Sequence, residues 1–289
     1  MSTTTTTAAV LPVPTTPDPA PGGVMPSALE RARWAVADTL TITKRNLIAY
    51  TRIPEALFFS TLQPIMFVLL FRYVFGGAIH IGNGISYIDF LMAGIFIQSV
   101  AFGGIGSAVG LADDLQKGLI ERFRALPMAR SAVLAGRTTA DLVRNVFVLL
   151  LMTGVGAAVG FDFPNGWIAF IAAAALVLLF AYALLWGFAF VGLIAPNSET
   201  AQIMVFPILF PLIFASPAFV STTSMPGWMQ AFAANQPVGV VINAARALMV
   251  GGHVVGGSTA GHVLAALAWC LGLLVVLAPL AVWRYRRAG

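Results

Sequence analysis

A charged segment, Asp113–Arg137, stands between two long apolar runs, and its residue types suit binding chemistry. It reads DDLQKGLIERFRALPMARSAVLAGR and holds eight of the chain's 16 basic and 11 acidic residues. Glu121, Arg122 and Arg124 place both signs of charge close together, which suits directional ion pairing with a partner. We therefore predict that this segment is a docking element. The alternative is a solvated loop that contacts nothing.

Helical spacing supports the docking interpretation. Residues of one face recur at intervals of three or four, as expected for a helix: Leu115, Leu119, Arg122 and Leu126. We predict a helix from about Asp114 to Leu126 that Pro127 ends. On the helix that follows, Asp141 and Arg144 are three residues apart, so we expect these two side chains to pair.

The patterns of common catalytic and metal sites are absent from the sequence. No G-x-x-x-x-G-K-[ST] loop occurs, so the chain has no P-loop for nucleotide phosphates. His80, His253 and His262 are scattered without an H-E-x-x-H motif or cysteine partners, so we expect no metal site. The single cysteine, Cys270, lies in an apolar run and is predicted to be a buried, inert thiol. We expect neither catalysis nor a cofactor in this chain.

The composition indicates a helical membrane protein. Of 289 residues, 59% are hydrophobic and 9% charged, with a mean hydropathy of +0.89, whereas a soluble domain has about 25% charged residues. Crossing a bilayer takes about 20 apolar residues in a helix. Six runs qualify: 55–75, 89–111, 139–160, 167–194, 203–222 and 263–283. A transmembrane barrel is excluded because its strands are short and alternate in polarity.

The distribution of basic residues predicts the orientation. Fourteen of the 16 lysines and arginines lie in residues 31–52, residues 112–144 and the last few positions, on one side of a six-span arrangement. The positive-inside rule places that side, with both termini and the docking element, in the cytoplasm. The pI of about 9.9 reflects this asymmetry and does not indicate nucleic-acid binding.

Three regions follow from these patterns. Residues 1–26, rich in Thr and Pro, are predicted to be a disordered tail. Residues 27–53 are predicted to form an amphipathic helix on the inner membrane interface, with Trp34 at headgroup depth. A merely solvated helix is the alternative. Residues 54–287 are predicted to form the six-span membrane domain.

Two later segments have features of a transport pathway. The fifth run contains Pro207, Pro211 and Pro217, which we expect to kink its helix. Four of its side chains could line an apolar pathway, although contact with lipid or neighbouring helices explains each equally well: Met204, Phe206, Phe210 and Phe214. Residues 237–250 are predicted to form a short amphipathic helix that stops at Gly251-Gly252.

The order of residues in the docking element resembles a known pattern. Glu121–Arg122, Leu126–Pro127, Arg130, Gly136–Arg137 and Asp141 follow E-R…L-P…R…G-R…A-D. This is similar to the loop between the second and third spans of type-2 ATP-binding-cassette (ABC) exporter permeases, and most similar to the daunorubicin-resistance permease group. Further similarities, over about Trp34 to Arg287, are Arg52-Ile53-Pro54, Tyr87-x-Asp89-Phe90 and Asn235-Gln236-Pro237…Arg246…Gly251. The chain departs from the family where Gln236 separates Asn235 from Pro237.

The resemblance implies a fold and a set of functional residues. The fold would be an all-α polytopic membrane protein, with six transmembrane helices, an N-terminal interfacial helix, a cytoplasmic coupling helix and an outer re-entrant helical segment. The residues expected to couple the chain to an ATPase are Glu121, Arg122, Arg124, Pro127, Arg130, Gly136 and Arg137. Those expected at the outer gate are Asn235, Pro237, Arg246 and Gly251.

The function implied is that of the permease subunit of an ATP-driven exporter in the cell membrane. A separate ABC ATPase would hold ATP and Mg, and a second permease subunit, identical or homologous, would complete the complex within membrane lipid. The apolar interior favours lipophilic or amphipathic cargo such as a drug, a polyketide or a lipid. An ATP-independent secondary carrier or a membrane scaffold is the alternative.

Overall fold

The computed structural model of the protein describes residues 28–51, 54–77, 85–118 and 130–287. Within these residues the chain forms ten α-helices and no strand. The helices are α1 (Ala28–Thr51), α2 (Pro54–Leu70), α3 (Tyr87–Gly103), α4 (Ile105–Gln116), α5 (Arg130–Ala158), α6 (Gly166–Ile194), α7 (Ser198–Phe214), α8 (Gly227–Asn235), α9 (Pro237–Met249) and α10 (Thr259–Arg287). A π-helical turn, Phe71–Phe75, extends α2. The predicted tail, residues 1–26, lies outside the described residues.

Four helical stretches are long and apolar enough to cross a membrane: Tyr87–Gln116, Ala132–Ala158, Gly166–Ile194 and Thr259–Arg287. They correspond to the second, third, fourth and sixth predicted spans. The first and fifth predicted spans overlap with shorter apolar helices, Thr61–Phe75 and Ser198–Phe214. The all-helical membrane architecture is confirmed for the described residues, and the count of six spans stays a prediction.

The predicted extent of the fifth span is wrong, because α7 begins at Ser198 and ends at Phe214 instead of running from 203 to 222. Pro207 and Pro211 lie inside α7, whereas Pro217 lies beyond its end and does not kink it. The Ser216 hydroxyl donates to the carbonyl oxygen of Ile213 and accepts from the backbone N–H of Ala218, at 3.3 Å. These local bonds and the missing N–H of Pro217 stop the helix at this point.

The start predicted for the docking helix is also wrong. Asp114 belongs to the last turn of α4, which ends at Gln116, and is not the first residue of a new helix. Gly118 has a φ of +66°, a conformation that favours glycine and ends the helix. Residues 119–129, which contain the rest of the predicted docking helix, lie outside the described residues.

The core lies around α3 and α6. All residues of α3 from Tyr87 to Ala101 are buried. Gly104 joins α3 to α4, and the ring of Phe188 from α6 occupies the space that a side chain at Gly104 would need. Cys270 is buried, as predicted, whereas few of the other apolar side chains of α10 are fully buried, as expected of a helix that faces lipid.

We predict that Gly94→Ala destabilises the protein. A Cβ at Gly94 would lie 2.7 Å from both the Cα and the carbonyl carbon of Ala218, and backbone atoms cannot move aside cheaply. Overpacking of this kind costs about 1–3 kcal/mol. The matched control is Gly154→Ala in α5, where no atom lies within 4 Å of the new Cβ. Thermal unfolding of both variants measures the difference, and equal unfolding temperatures would contradict the close approach at Gly94.

Candidate coupling site and outer helical pair

The predicted coupling residues divide between parts of the chain that the structure does and does not describe. Those outside the described residues are Glu121, Arg122, Arg124 and Pro127. The three others lie at the start of α5: Arg130, of which only the backbone is described, Gly136 and Arg137. The described geometry is therefore that of the helices on either side of residues 119–129.

Gly136 is the point at which α1 meets α5. A Cβ at Gly136 would lie 2.6 Å from the Cβ of Ile42 and 2.9 Å from the carbonyl oxygen of Thr39. The hydroxyl of Thr43 donates a hydrogen bond of 3.1 Å to the carbonyl oxygen of Gly136. The glycine thus brings the N-terminal helix into backbone contact with the helix that follows the coupling segment.

Arg137 ties the two ends of the coupling segment together. Its guanidinium pairs with the carboxylate of Asp114, so the last turn of α4 is joined to the beginning of α5. Gly110 leaves the space that the guanidinium occupies. On the exposed side of α4, Asp113 pairs with Lys117 at 2.6 Å, and this hydrogen bond raises the pKa of Lys117. The ion pair of Arg137 with Asp114 therefore joins the two helices that lie on either side of residues 119–129.

Asp141 joins three helices. It is completely buried, and its two carboxylate oxygens accept hydrogen bonds from the hydroxyl of Tyr50 in α1 and the hydroxyl of Ser107 in α4. The predicted pairing of Asp141 with Arg144 is wrong. Arg144 instead donates to the carbonyl oxygen of Gly103. We call Tyr50, Ser107 and Asp141 the polar hub.

Tyr50 and Ser107 are functional candidates that the sequence did not reveal. Burial raises the pKa of Tyr50 well above its usual value, and the charge of Asp141 raises it further, so the tyrosine keeps its proton. The guanidinium of Arg144 lies 5.8 Å from the centre of the Tyr50 ring. Tyr50 stands two residues before the Arg52-Ile53-Pro54 motif, and only that proximity could have drawn attention to it.

The segment predicted to form the outer gate contains two short helices, α8 and α9, which we call the outer helical pair. Their role as a gate stays a prediction. The predicted helix at 237–250 is confirmed as α9, with Pro237 as its first residue. Gly251, at a φ of +124°, follows its end. Asn235 is exposed and donates to the carbonyl oxygen of Ala231 within α8. The membrane depth of this pair stays a prediction.

Gln236, which separates Asn235 from Pro237, caps α9. Its side-chain oxygen accepts from the backbone N–H of Val238 at 3.2 Å. Its side-chain nitrogen donates to the carbonyl oxygen of Leu212 at 2.7 Å, near the end of α7. Gln236 thus supplies the helix cap and fastens the outer helical pair to α7.

Arg246 fastens α9 to the core. It is 1% exposed, and it donates from Nε to the carbonyl oxygen of Phe90 at 3.0 Å and from a terminal nitrogen to that of Pro217 at 2.7 Å. Its guanidinium also lies 3.5 Å from the centre of the Phe90 ring. The same side chain therefore holds α9, the start of α3 and the segment after α7.

Three of the four residues proposed to line a pathway form an aromatic row on α7. The ring centres of Phe206 and Phe210 are 5.6 Å apart, and those of Phe210 and Phe214 are 4.3 Å apart. Each side chain is about half exposed. Met204 does not belong to the row, because it packs against the main core. Phe219 continues the row towards Phe71 of the π-helical turn.

A cavity of about 190 Å³ opens between α2, α3, α4 and α5. It lies near this row, because the ring centre of Phe102 in its wall is 6.2 Å from that of Phe206. Its walls include the rings of Phe67 and Phe102 and the polar side chains of Gln63, Gln98 and Arg144. Gln98 is 4% exposed, and its side-chain nitrogen has no hydrogen-bond partner among the described residues. A buried amide without a partner is costly, so a hydrogen-bond acceptor from outside the chain would stabilise it.

Comparison with known proteins gives one family match and several similar transport proteins. The family profile of the ABC-2 type transporter matches residues 37–250. The daunorubicin resistance ABC transporter permease protein of Streptomyces coeruleorubidus is 34% identical over 254 residues, covering 87% of each chain. A protein of Mycobacterium tuberculosis named a probable doxorubicin resistance ABC transporter permease is 29% identical over 271 residues, covering 92% of this chain and 94% of the relative.

Proposed function

Because the chain belongs to the ABC-2 type transporter family, we propose that it is the membrane-spanning permease subunit of an ATP-driven exporter in the cell membrane. The family match over residues 37–250 carries the proposal. It is supported by the ion pair of Arg137 with Asp114, which joins the helices on either side of residues 119–129, because a push on one of two joined helices also moves the other. The proposed complex contains a separate ABC ATPase and a second permease subunit, with both termini of this chain in the cytoplasm.

The proposed mechanism begins at the coupling segment. The ATPase pair closes on ATP and pushes the segment that contains Glu121. The ion pair of Arg137 with Asp114 and the polar hub pass this movement to α1, α4 and α5 together, because the bonds cross between the helices. ATP supplies the energy by binding one of two conformations more tightly, which shifts their populations.

We propose that the cargo is a lipophilic or amphipathic molecule, taken from the cytoplasm or the inner leaflet. Its binding site would be the cavity at Gln98, where aromatic rings offer stacking surface and the amide offers a hydrogen-bond donor. The aromatic row of α7 would extend this surface towards the outer helical pair. The names of the relatives, which refer to resistance to daunorubicin and doxorubicin, agree with cargo of this class.

Gln98→Leu tests the cargo site. We expect it to weaken the binding of daunorubicin about tenfold, which corresponds to the loss of one hydrogen bond worth about 1.4 kcal/mol. Thermal stability should stay the same or rise, because the variant removes a buried nitrogen that has no partner in the described residues. Fluorescence titration of the protein in nanodiscs measures binding. The matched control, Gln202→Leu, alters an exposed glutamine of α7, and equal affinities in both variants would contradict the site.

The decisive test of the overall proposal is affinity purification of the tagged chain from gently solubilised native membranes. We expect a P-loop ATPase to co-purify in nearly equal amount. Recovery of the chain alone, under conditions that preserve known ABC complexes, would favour the ATP-independent carrier or scaffold.

A further inference from the structure

Arg246 is a buried positive charge without a negative partner. Both of its hydrogen bonds go to backbone carbonyl oxygens, which are neutral, and no carboxylate pairs with it among the described residues. The two bonds use two of the five N–H donors of a guanidinium. Arginine stays protonated in proteins, and a buried charge is costly unless an opposite charge compensates it. The site therefore favours an anion.

A polar cavity adjoins this charge. It has a volume of about 270 Å³, against the roughly 30 Å³ that one water molecule occupies in the liquid. Arg246 and Asn243, three residues apart on α9, form part of the wall. The wall also contains three residues with hydroxyl groups, Ser221, Thr222 and Thr223. Hydroxyl and amide groups can donate hydrogen bonds to an anion that a guanidinium attracts.

We propose that this cavity is a binding site for an oxyanion, that is, a phosphate, a sulfate or a carboxylate group. The planar guanidinium matches the oxygen atoms of such groups, and the surrounding hydroxyls and amide would complete the hydrogen bonds. The oxyanion is either a free ion or the anionic headgroup of a lipid, since both present the same oxygen atoms. Occupancy neutralises Arg246 at the junction of α9, α3 and the segment after α7, and so stabilises that junction.

Thermal unfolding of the full chain in phosphatidylcholine nanodiscs tests the proposal, with chloride replaced by inorganic phosphate at constant ionic strength. A ligand at ten times its dissociation constant raises the unfolding temperature by about 3 °C. Phosphate also stabilises proteins generally, by exclusion from their surface. The difference between variants is therefore the measured quantity.

Asn243→Asp is the informative variant, because it places a carboxylate in the cavity next to Arg246. We expect a higher unfolding temperature in chloride and no site-specific response to phosphate. Asn46→Asp makes the same change on α1, outside the cavity, and should respond to phosphate like the wild type. Arg246→Gln should also lose the response. If Arg246→Gln does not fold, the two asparagine variants still decide.

A second arm of the experiment, with phosphatidylglycerol in the nanodiscs and chloride in solution, distinguishes a free ion from a lipid headgroup. A wild-type rise with phosphate alone assigns the site to a free ion. A rise with phosphatidylglycerol that phosphate does not increase assigns it to a lipid headgroup. Equal responses of the wild type and Asn243→Asp in both arms would overturn the proposal, as would a lower unfolding temperature of Asn243→Asp in chloride. The readout needs no ATPase, so its outcome is independent of the proposed export function.

Discussion

Replacing Glu121 with lysine is expected to abolish stimulation of the proposed partner ATPase while the protein remains inserted in the membrane. The substitution reverses one charge in the mixed-charge group of Glu121, Arg122 and Arg124, and a like-charge contact across an interface costs several kcal/mol. A cost of this size exceeds the 1.4 kcal/mol that corresponds to a tenfold change in affinity. Binding of the ATPase should therefore fall by well over tenfold.

The measurement is ATPase activity of the reconstituted complex, together with co-purification of the two chains. Glu30→Lys is the matched control, because it makes the same substitution at an exposed residue in the first turn of α1. We expect this control to keep both activity and co-purification. Unchanged ATPase stimulation and transport in Glu121→Lys would refute the role of the segment in coupling.

Replacing Asp141 with alanine is expected to destabilise the protein more than any other single change in the polar hub. The variant leaves the hydroxyls of Tyr50 and Ser107 without their acceptor in a buried site. Hydrogen bonds to a charged group contribute about 1.5–3 kcal/mol each, so the free energy of unfolding should fall by about 3 kcal/mol or more. The unfolding temperature should then fall by about 6 °C or more.

Tyr50→Phe and Ser107→Ala each remove one of the two bonds and should each have a smaller effect. In the double variant Tyr50→Phe with Asp141→Ala, the loss should be smaller than the sum of the single losses, because both changes remove the same bond. Asp113→Ala is the control, since its exposed pair with Lys117 contributes little. An unfolding temperature of Asp141→Ala equal to that of this control would contradict the hub.

Asp141→Ala should also reduce coupling in molecules that remain folded. The hub joins α1 and α4 to α5, so its loss lets α5 move without carrying the other two helices. We expect ATPase activity to persist while transport per ATP hydrolysed decreases. Transport and hydrolysis measured on the same proteoliposomes report this ratio, and Asp141→Asn, which retains one oxygen acceptor, should lie between the wild type and alanine.

Local patterns determined much of the architecture. The long run without charges forms α6, Gly166–Ile194, and the short amphipathic run before Gly251 forms α9. Both helices could be predicted from the length of the apolar run and from helix-stop signals, because these depend only on residues close together in the sequence. The family, too, could be recognised from the order of motifs, because motif order is a property of the chain.

Contacts between distant residues could not be deduced in this way. Asp141 was expected to pair with the nearest opposite charge, Arg144, yet its partners are hydroxyls 91 and 34 residues away. Hydroxyl groups carry no charge pattern that marks them in a sequence. Likewise, every residue has a carbonyl group, so nothing in the sequence singles out those of Phe90 and Pro217 as the ligands of Arg246.

The sequence by itself determined that this protein is a helical membrane permease with a charged segment between two spans, since length, hydropathy and motif order are local properties. Tertiary structure alone decided that Asp141 is the centre of a junction of three helices. It also decided that Arg246 borders a polar cavity and that no acidic residue among the described residues pairs with Arg246. The physical reason is that hydrogen bonds and burial depend on which helices pack together, and that packing brings together residues that the chain keeps far apart.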